Sequence, residues 1–359
     1  MKNTTHLFER IRHNRLFWPV VALVSIFVID AIFEPGFFKI GILDGHLFGN
    51  LIDVLNNSAP LMLVSIGMTV VIATAGVDLS VGAVIAISAA MGTVLINPAL
   101  GNELIQNKIL AANTTNTPLW LVVVATLAAG TVCGMWNGML VSRGKIDPMV
   151  ATLILMVAGR GIAQLITNGQ IMTVYYTPYW WFGNGFILGL PVSIYIVAGV
   201  FILAWVLVRK TSIGLFIESV GINAKSTYYS GINEQNVKLF AYAFCGFCSA
   251  VAGLILGSYI HGVDANNIGL NYELDAIFAV VMGGTLMSGG RFSLLASIIG
   301  ALVIWTFTIT MYTLGVPANA LLAGRAVLVL LVILLYSDYA HRIMNRLFQQ
   351  KESQHGATN

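Results

Sequence analysis

Residues 58–96 read SAPLMLVSIGMTVVIATAGVDLSVGAVIAISAAMGTVLI, and Asp78 is the one charged residue in the stretch. A span of the hydrocarbon core takes about 20 predominantly apolar residues. The stretch is therefore read as two spans, 58–75 and 79–96, split at Gly76-Val77-Asp78. The rest of the chain matches. Lys, Arg, Asp and Glu make up 9% of its 359 residues, the hydrophobic set 57%, and mean hydropathy is +0.84. An ordinary soluble domain is roughly 25% charged. This composition excludes a soluble enzyme, a disordered chain and a nucleic-acid binder. It leaves an all-α polytopic membrane protein in contact with lipid.

Eight more apolar runs bring the expected total to ten spans: 17–34, 58–75, 79–96, 119–141, 148–167, 189–208, 237–260, 272–288, 292–313 and 319–336. Lysine and arginine give their orientation, because cytoplasmic loops carry the excess of positive charge. With the N-terminus inside, the inner segments hold 14 of the 18 basic residues. The outer segments hold Lys39 and Lys108, and Arg160 and Arg325 lie within spans. Both termini are thus expected to be cytoplasmic, as 1–16 and 337–359, with the permeating domain at 17–336. The run from Leu16 to Ile32 is longer than a signal-peptide core and reads as a retained first helix.

Three cysteines supply no disulfide framework. Cys245 and Cys248 form a C-x-x-C inside an apolar run, which reads as small packing residues rather than a redox pair. Six scattered histidines have no metal-ligand spacing, so neither metal nor cofactor is expected. Gly130, Gly134 and Gly138, like Ser249, Gly253 and Gly257, are spaced by four, a pattern that lets helix backbones approach closely.

Charges inside the membrane are costly and mark functional candidates. Arg160 and Arg325 each sit in an Ala-Gly-Arg triplet, and Asp275 is the expected partner of one of them. Asp78-Leu79-Ser80 opens span 3 as Leu274-Asp275-Ala276 opens span 8. Spans 2–5 and 7–10 then read as repeats of opposite sense, a common transporter design. A second break, 282–291, carries Gly283, Gly284, Gly289 and Gly290, which free the backbone for tight turns. It is the candidate pore-lining or gating element, with a plain short loop as the rival reading. The aromatic run 175–182 is read as an interfacial belt. In the long inner connection 209–236, Asn223 is a suitable N-cap and Gly231 a terminator. They frame a short helix over 224–230 that is expected to dock on a partner.

The chain resembles the membrane permease subunit of bacterial ABC sugar importers of the ribose-type branch, and is most similar there to the galactofuranose importer permeases. The motifs that carry the resemblance are Ile66–Gly82, Val150–Leu153 with Gly159–Gly161, Gly221–Asn223, Asp264–Asn267 with Glu273–Ala276, and the glycines of 283–290. They cover about residues 45–335. The sequence departs at Ala75, where the family usually has glycine, and at Lys225-Ser226. The resemblance implies a pore of two permeases, identical or different, in the bacterial inner membrane. It implies two ATP-binding subunits on the inner face and a periplasmic sugar-binding protein outside. The coupling segment maps onto Glu218–Asn233, with Glu218, Gly221, Asn223, Tyr228 and Gly231 as its candidate residues. Asp78, Arg160, Asp275, the four glycines and Arg325 are the candidates for the path or its gate. No G-x-x-x-x-G-K-[ST] loop occurs in the chain, so ATP hydrolysis would belong to another polypeptide. The rival readings are an ion-coupled secondary transporter, which would need carboxylates or histidines at mid-membrane, and an intramembrane enzyme, for which no catalytic set converges.

Overall fold

The computed structural model describes residues 16–34, 36–43, 45–96 and 117–336. The expected cytoplasmic segments up to residue 15 and from 337 onward, and Lys108, lie outside them. Twelve helices follow in chain order among the described residues: α1 Phe17–Phe33, α2 Asn50–Ala73, α3 Val81–Ile96, α4 Leu119–Ser142, α5 Pro148–Ile166, α6 Thr177–Asn184, α7 Val192–Lys210, α8 Ile213–Tyr229, α9 Glu234–Tyr259, α10 Tyr272–Met282, α11 Leu294–Thr313 and α12 Ala318–Tyr336. Each expected span overlaps one of them. α2, α4, α5, α7, α9 and α11 are long and apolar enough to cross a membrane.

Three small antiparallel pairs join the loops. β1 Gly41–Leu43 pairs with β2 His46–Phe48, and β4 Phe186–Ile187 with β5 Leu190–Pro191. β3 Met172–Thr173 pairs with β6 Gly262–Val263, which ties the loop after α5 to the loop after α9.

The core forms around α2, α3 and α9. α2 is buried at every position from Ser58 to Ala73, as expected of a helix that is apolar all round. Glycines bring the helices together. A side chain on Gly130 would meet Ala250 Cβ at 2.6 Å, and one on Gly138 would meet Leu239 Cα at 3.0 Å, so α4 lies directly on α9. Gly253 brings α9 to 2.7 Å from the Ile85 carbonyl of α3 in the same sense. Cys245 and Cys248 are buried free thiols against Gly67 of α2. Both small-residue stripes and the C-x-x-C are thus packing devices.

Three expectations are corrected. The span 272–288 is too long: α10 stops at Met282 after 11 residues. At about 1.5 Å per residue it rises some 16 Å, roughly half of a hydrocarbon core. It stops because Gly284 takes φ +72°, with its N–H on the Val281 carbonyl and that of Thr285 on the Val280 carbonyl. This is the Schellman end that glycine favours. The aromatic run is not simply a belt. It folds as α6, in which Tyr179 is fully buried and Trp180 stacks on His261 at 4.0 Å while donating to the Val174 carbonyl at 2.8 Å. Trp181 stays exposed. The inner connection is more helical than expected, because α8 runs from Ile213 and bends at Asn223 (φ −160°, ψ 98°).

Two halves share an order of elements. α2 and α9 each lead into a non-helical break, then a shorter helix, α3 or α10, with an acid at or just before its first turn, then two further helices.

Candidate functional site

The first break, 74–80, is held by side chains. Asp78 Oδ1 accepts from Ser80 N–H at 2.9 Å and Ser80 Oγ at 2.7 Å. Asn137 of α4 donates to Ser80 Oγ at 2.8 Å and to Asp78 Oδ1 at 3.4 Å. Tyr242 of α9 donates to the Val77 carbonyl at 3.2 Å. Asp78 is 1% exposed and makes no ion pair among the described residues. The polar partners of this buried carboxyl are neutral donors, Ser80 and Asn137. Asp78 therefore closes a turn on Ser80 just ahead of α3 and, through Asn137, ties the break to α4 inside packed protein.

The second break, 283–291, is held by backbone. Gly284, Gly289 and Gly290 take φ of +72°, +84° and +94°, where an L side chain is strained. Gly283 has ordinary φ and is needed for space, since a Cβ there would meet Ala296 and Ser297 backbone at 2.8 Å. Gly290 N–H donates to the Ala73 carbonyl, the last residue of α2, at 2.9 Å. The two breaks are therefore in contact. Gly221 of α8 joins them: any side chain on it would collide with the Ala73 carbonyl and the Gly290 nitrogen. A Cβ on Gly289 would stand 2.8 Å from Ala75 Cβ. The end of α2, the glycine turn and the middle of α8 thus form one backbone junction.

From that junction α8 continues past its bend as an exposed elbow. Asn223 Oδ1 accepts from Ser226 N–H at 3.0 Å, the expected N-cap. Gly231 at φ +86° ends the element, with Ile232 N–H bonded back to the Thr227 carbonyl at 3.2 Å. Ile222, Tyr228 and Tyr229 are 72%, 66% and 87% exposed. These are large apolar groups at the end of the bundle that also carries Arg143, Lys145, Arg209, Lys210 and Arg291. Glu218 sits one turn before Gly221 and is half-buried.

The two arginines meet at the head of α10. Arg325 of α12 pairs with Asp275 Oδ2 at 2.8 Å, donates to Thr308 Oγ1 at 3.0 Å and lies 5.7 Å over the Trp305 ring. Asp275 thus partners Arg325, not Arg160. Arg160 of α5 donates to the Ala265 and Ile268 carbonyls at 3.3 and 2.5 Å. One turn on, Gln164 donates to Asn266 Oδ1. Together they grip the loop 264–271, which reaches far enough into the bundle for Gly269 to pack on Gly82 and Ile85 at the start of α3. Glu273, 4% exposed, faces Gly82 there. α10 is therefore a half-length helix whose entry is held from both sides by cations and whose exit is a glycine turn.

The eight path candidates thus fall in three places: Asp78 in the first break, the glycines in the second, and Arg160, Asp275 and Arg325 around α10. Glu273, Asn137, Gly82, Ala73 and Thr308 were missed. Asn137 was visible as a lone amide in an apolar span. Gly82 and Glu273 lay inside quoted motifs without a reason to single them out. Ala73 acts through its carbonyl, which no side-chain pattern shows.

The family described as "Branched-chain amino acid transport system / permease component" matches residues 50–336. The galactofuranose transporter permease protein of Escherichia coli K12 is 44% identical over 330 residues, covering 90% of this chain and 92% of that protein. The fructose import permease protein of Bifidobacterium longum is 36% identical over 341 residues, covering 93% and 91%. The ribose import permease protein of Haemophilus influenzae is 32% identical over 338 residues, covering 93% and 97%. No solved structure matches. With a family match across all the helices from α2 to α12, and relatives that align over nine-tenths of their own length, the chain belongs to this family of multi-pass transport permeases.

Proposed function

We propose that this chain is the permease subunit of an ATP-binding-cassette importer and forms the path of a sugar across the bacterial inner membrane. Galactofuranose is the first candidate, ahead of fructose and ribose, because the relative that carries it in its name is 44% identical against 36% and 32%. On this reading the ten spans place both termini inside, and spans 2–5 and 7–10 are an inverted repeat that runs in opposite senses across the membrane. Two such permeases, identical or related, enclose the path. A periplasmic sugar-binding protein delivers the cargo, and two ATP-binding subunits dock on the basic end.

The observation that carries the coupling part is the α8 elbow. Its apolar side chains, Ile222, Tyr228 and Tyr229, face outward, while Gly221 at its root is locked to both breaks. A partner that seats the elbow can push on Ala73 and Gly290 without an intervening flexible loop. An ion-coupled carrier has less support, since Asp275 is committed to Arg325 and Asp78 to its own break.

The test is the reconstituted complex, assayed for ATP hydrolysis with and without the loaded binding protein and for uptake of a panel of labelled pentoses and hexoses. Tyr228→Pro breaks the elbow helix, since proline inside a helix costs about 3 kcal/mol. The variant is expected to insert and assemble but to lose sugar-stimulated hydrolysis. Full stimulation would mean that coupling runs through another surface. Transport without any ATPase subunit would overturn the importer reading.

A further inference from the structure

At the basic end of the bundle, α7, α8 and the start of α11 enclose a recess of about 180 Å³, lined by Phe201, Trp205, Arg209, Glu218, Phe292 and Leu295 among others. On the proposed ten-span reading this end lies at a membrane surface. α7 ends its apolar run in Arg209-Lys210, and Trp205 lies one turn inside them, the order of an interfacial anchor. Trp205 and Leu295 are 43% and 46% exposed, so the apolar wall of the recess reaches the outside of the bundle. Lys210 Nζ lies 5.7 Å over the Trp205 ring. Arg209 and Glu218 line the same recess, yet neither makes an ion pair among the described residues. One cation and one carboxylate, held apart beside an apolar wall, match a ligand that carries both opposite charges and an apolar tail.

We propose that the recess seats the headgroup of phosphatidylethanolamine, with the phosphate on Arg209 and the primary ammonium on Glu218. The glycerol end then runs along Trp205 and Leu295 into the bilayer. Each charge in the recess gains its counter-charge, and the ammonium N–H groups give Glu218 charge-assisted hydrogen bonds. Phosphatidylcholine offers no N–H to Glu218, and phosphatidylglycerol places only an anion beside it. Since α8 supplies Glu218 and α7 supplies Arg209, the bound lipid braces the root of the elbow against the bundle. The inference needs this end of the bundle to lie at the membrane surface and does not depend on the cargo.

The full chain in lipid-free detergent, titrated separately with phosphatidylethanolamine, phosphatidylcholine and phosphatidylglycerol, gives the test by native mass spectrometry. One phosphatidylethanolamine is expected to be retained at concentrations where the other two are lost. Losing a charge-assisted hydrogen bond is expected to weaken it about tenfold in Arg209→Gln. Glu218→Gln is expected to keep binding but to bind phosphatidylethanolamine and phosphatidylcholine alike, and Lys145→Gln, elsewhere at the same end, to change nothing. Equal retention of the three lipids by the wild type overturns the proposal, as does a preference that survives Glu218→Gln. Tighter binding of phosphatidylglycerol makes the recess a plain anion site. Full displacement by water-soluble phosphoethanolamine at matched concentration shows that no lipid tail is recognised.

Discussion

The end of α2 and the end of α10 close with the same backbone motif, but with different residues at its critical position. In α2, Ala75 N–H bonds to the Ile72 carbonyl and Gly76 N–H to the Val71 carbonyl. In α10, Gly284 and Thr285 repeat this on Val281 and Val280. Both motifs need a left-handed residue at the turn. α10 has Gly284 at φ +72°, whereas α2 has Ala75 at φ +60°. Glycine takes that conformation freely, and alanine takes it at a cost of roughly 1 kcal/mol. After the turns the two regions diverge further. The chain beyond α2 is fixed by Asp78, Ser80, Asn137 and Tyr242, so its shape is written in side chains. The chain beyond α10 is fixed by positive φ at Gly289 and Gly290 and by one bond to Ala73, so its shape is written in backbone. A side-chain network is rigid and buried. A glycine turn changes shape at low cost, and it is this turn that meets the root of the α8 elbow.

Substitutions at three positions test that contrast. The largest effect is expected at Gly289→Val, which puts a β-branched residue at φ +84° against Ala75 Cβ. Left-handed strain and overpacking together cost about 2–5 kcal/mol. Uptake by the reconstituted complex is expected to vanish while the subunits still co-purify. Wild-type uptake would remove the glycine turn from the mechanism. Asp78→Ala comes next. It strands Ser80 N–H and the Ser80 hydroxyl in the core, at about 3 kcal/mol in all, and should appear as a lower unfolding temperature of the purified chain. Asp78→Asn should lose less, because an amide oxygen still accepts from Ser80. Equal losses in the two variants would mean that the charge, not the hydrogen bonds, holds the break.

The smallest effect is expected at Ala75→Gly. Removing the left-handed penalty should raise stability by up to about 1 kcal/mol, less the backbone freedom that glycine gains in the unfolded chain. The sharper measurement is the double variant with Gly289→Ala. Because the two Cβ positions would be 2.8 Å apart, Gly289→Ala should be tolerated better when Ala75 is already glycine. Additive effects would show that the two breaks do not press on each other.

Most of the helices were legible because an apolar run is a one-dimensional signal: α4, α5, α7, α9 and α11 begin and end within a few residues of the expected spans. The short helix α10 was not. Its apolar run continues through Val281-Met282 into glycine, and hydropathy does not register a turn. The α8 elbow was half legible. Asn223 and Gly231 announced its caps, but Ile213–Ile222 gave no sign that the helix starts earlier, since its stability comes from packing Gly214 on Val208 and Gly221 on Ala73. Asp78 was legible as the lone charge of its stretch, but its bonds to Ser80 and Asn137 appear only in the packed structure.

The sequence by itself determined the class of the molecule. Nine per cent charge and repeated apolar runs admit only a bilayer protein, and the lysine and arginine placement gave one end of the bundle its basic character. It also supplied the residues that matter, because positive φ favours glycine and a buried turn is held by a carboxyl or amide group. Only the tertiary structure decided which of them meet. Arg325 rather than Arg160 takes Asp275, Arg160 holds carbonyls of the loop before α10, and Gly221, Ala73 and Gly290 close on one another from positions up to about two hundred residues apart. Such meetings are made by carbonyls, missing side chains and close helix contacts. None of these has a period or a composition to read, and each exists only once the helices are packed.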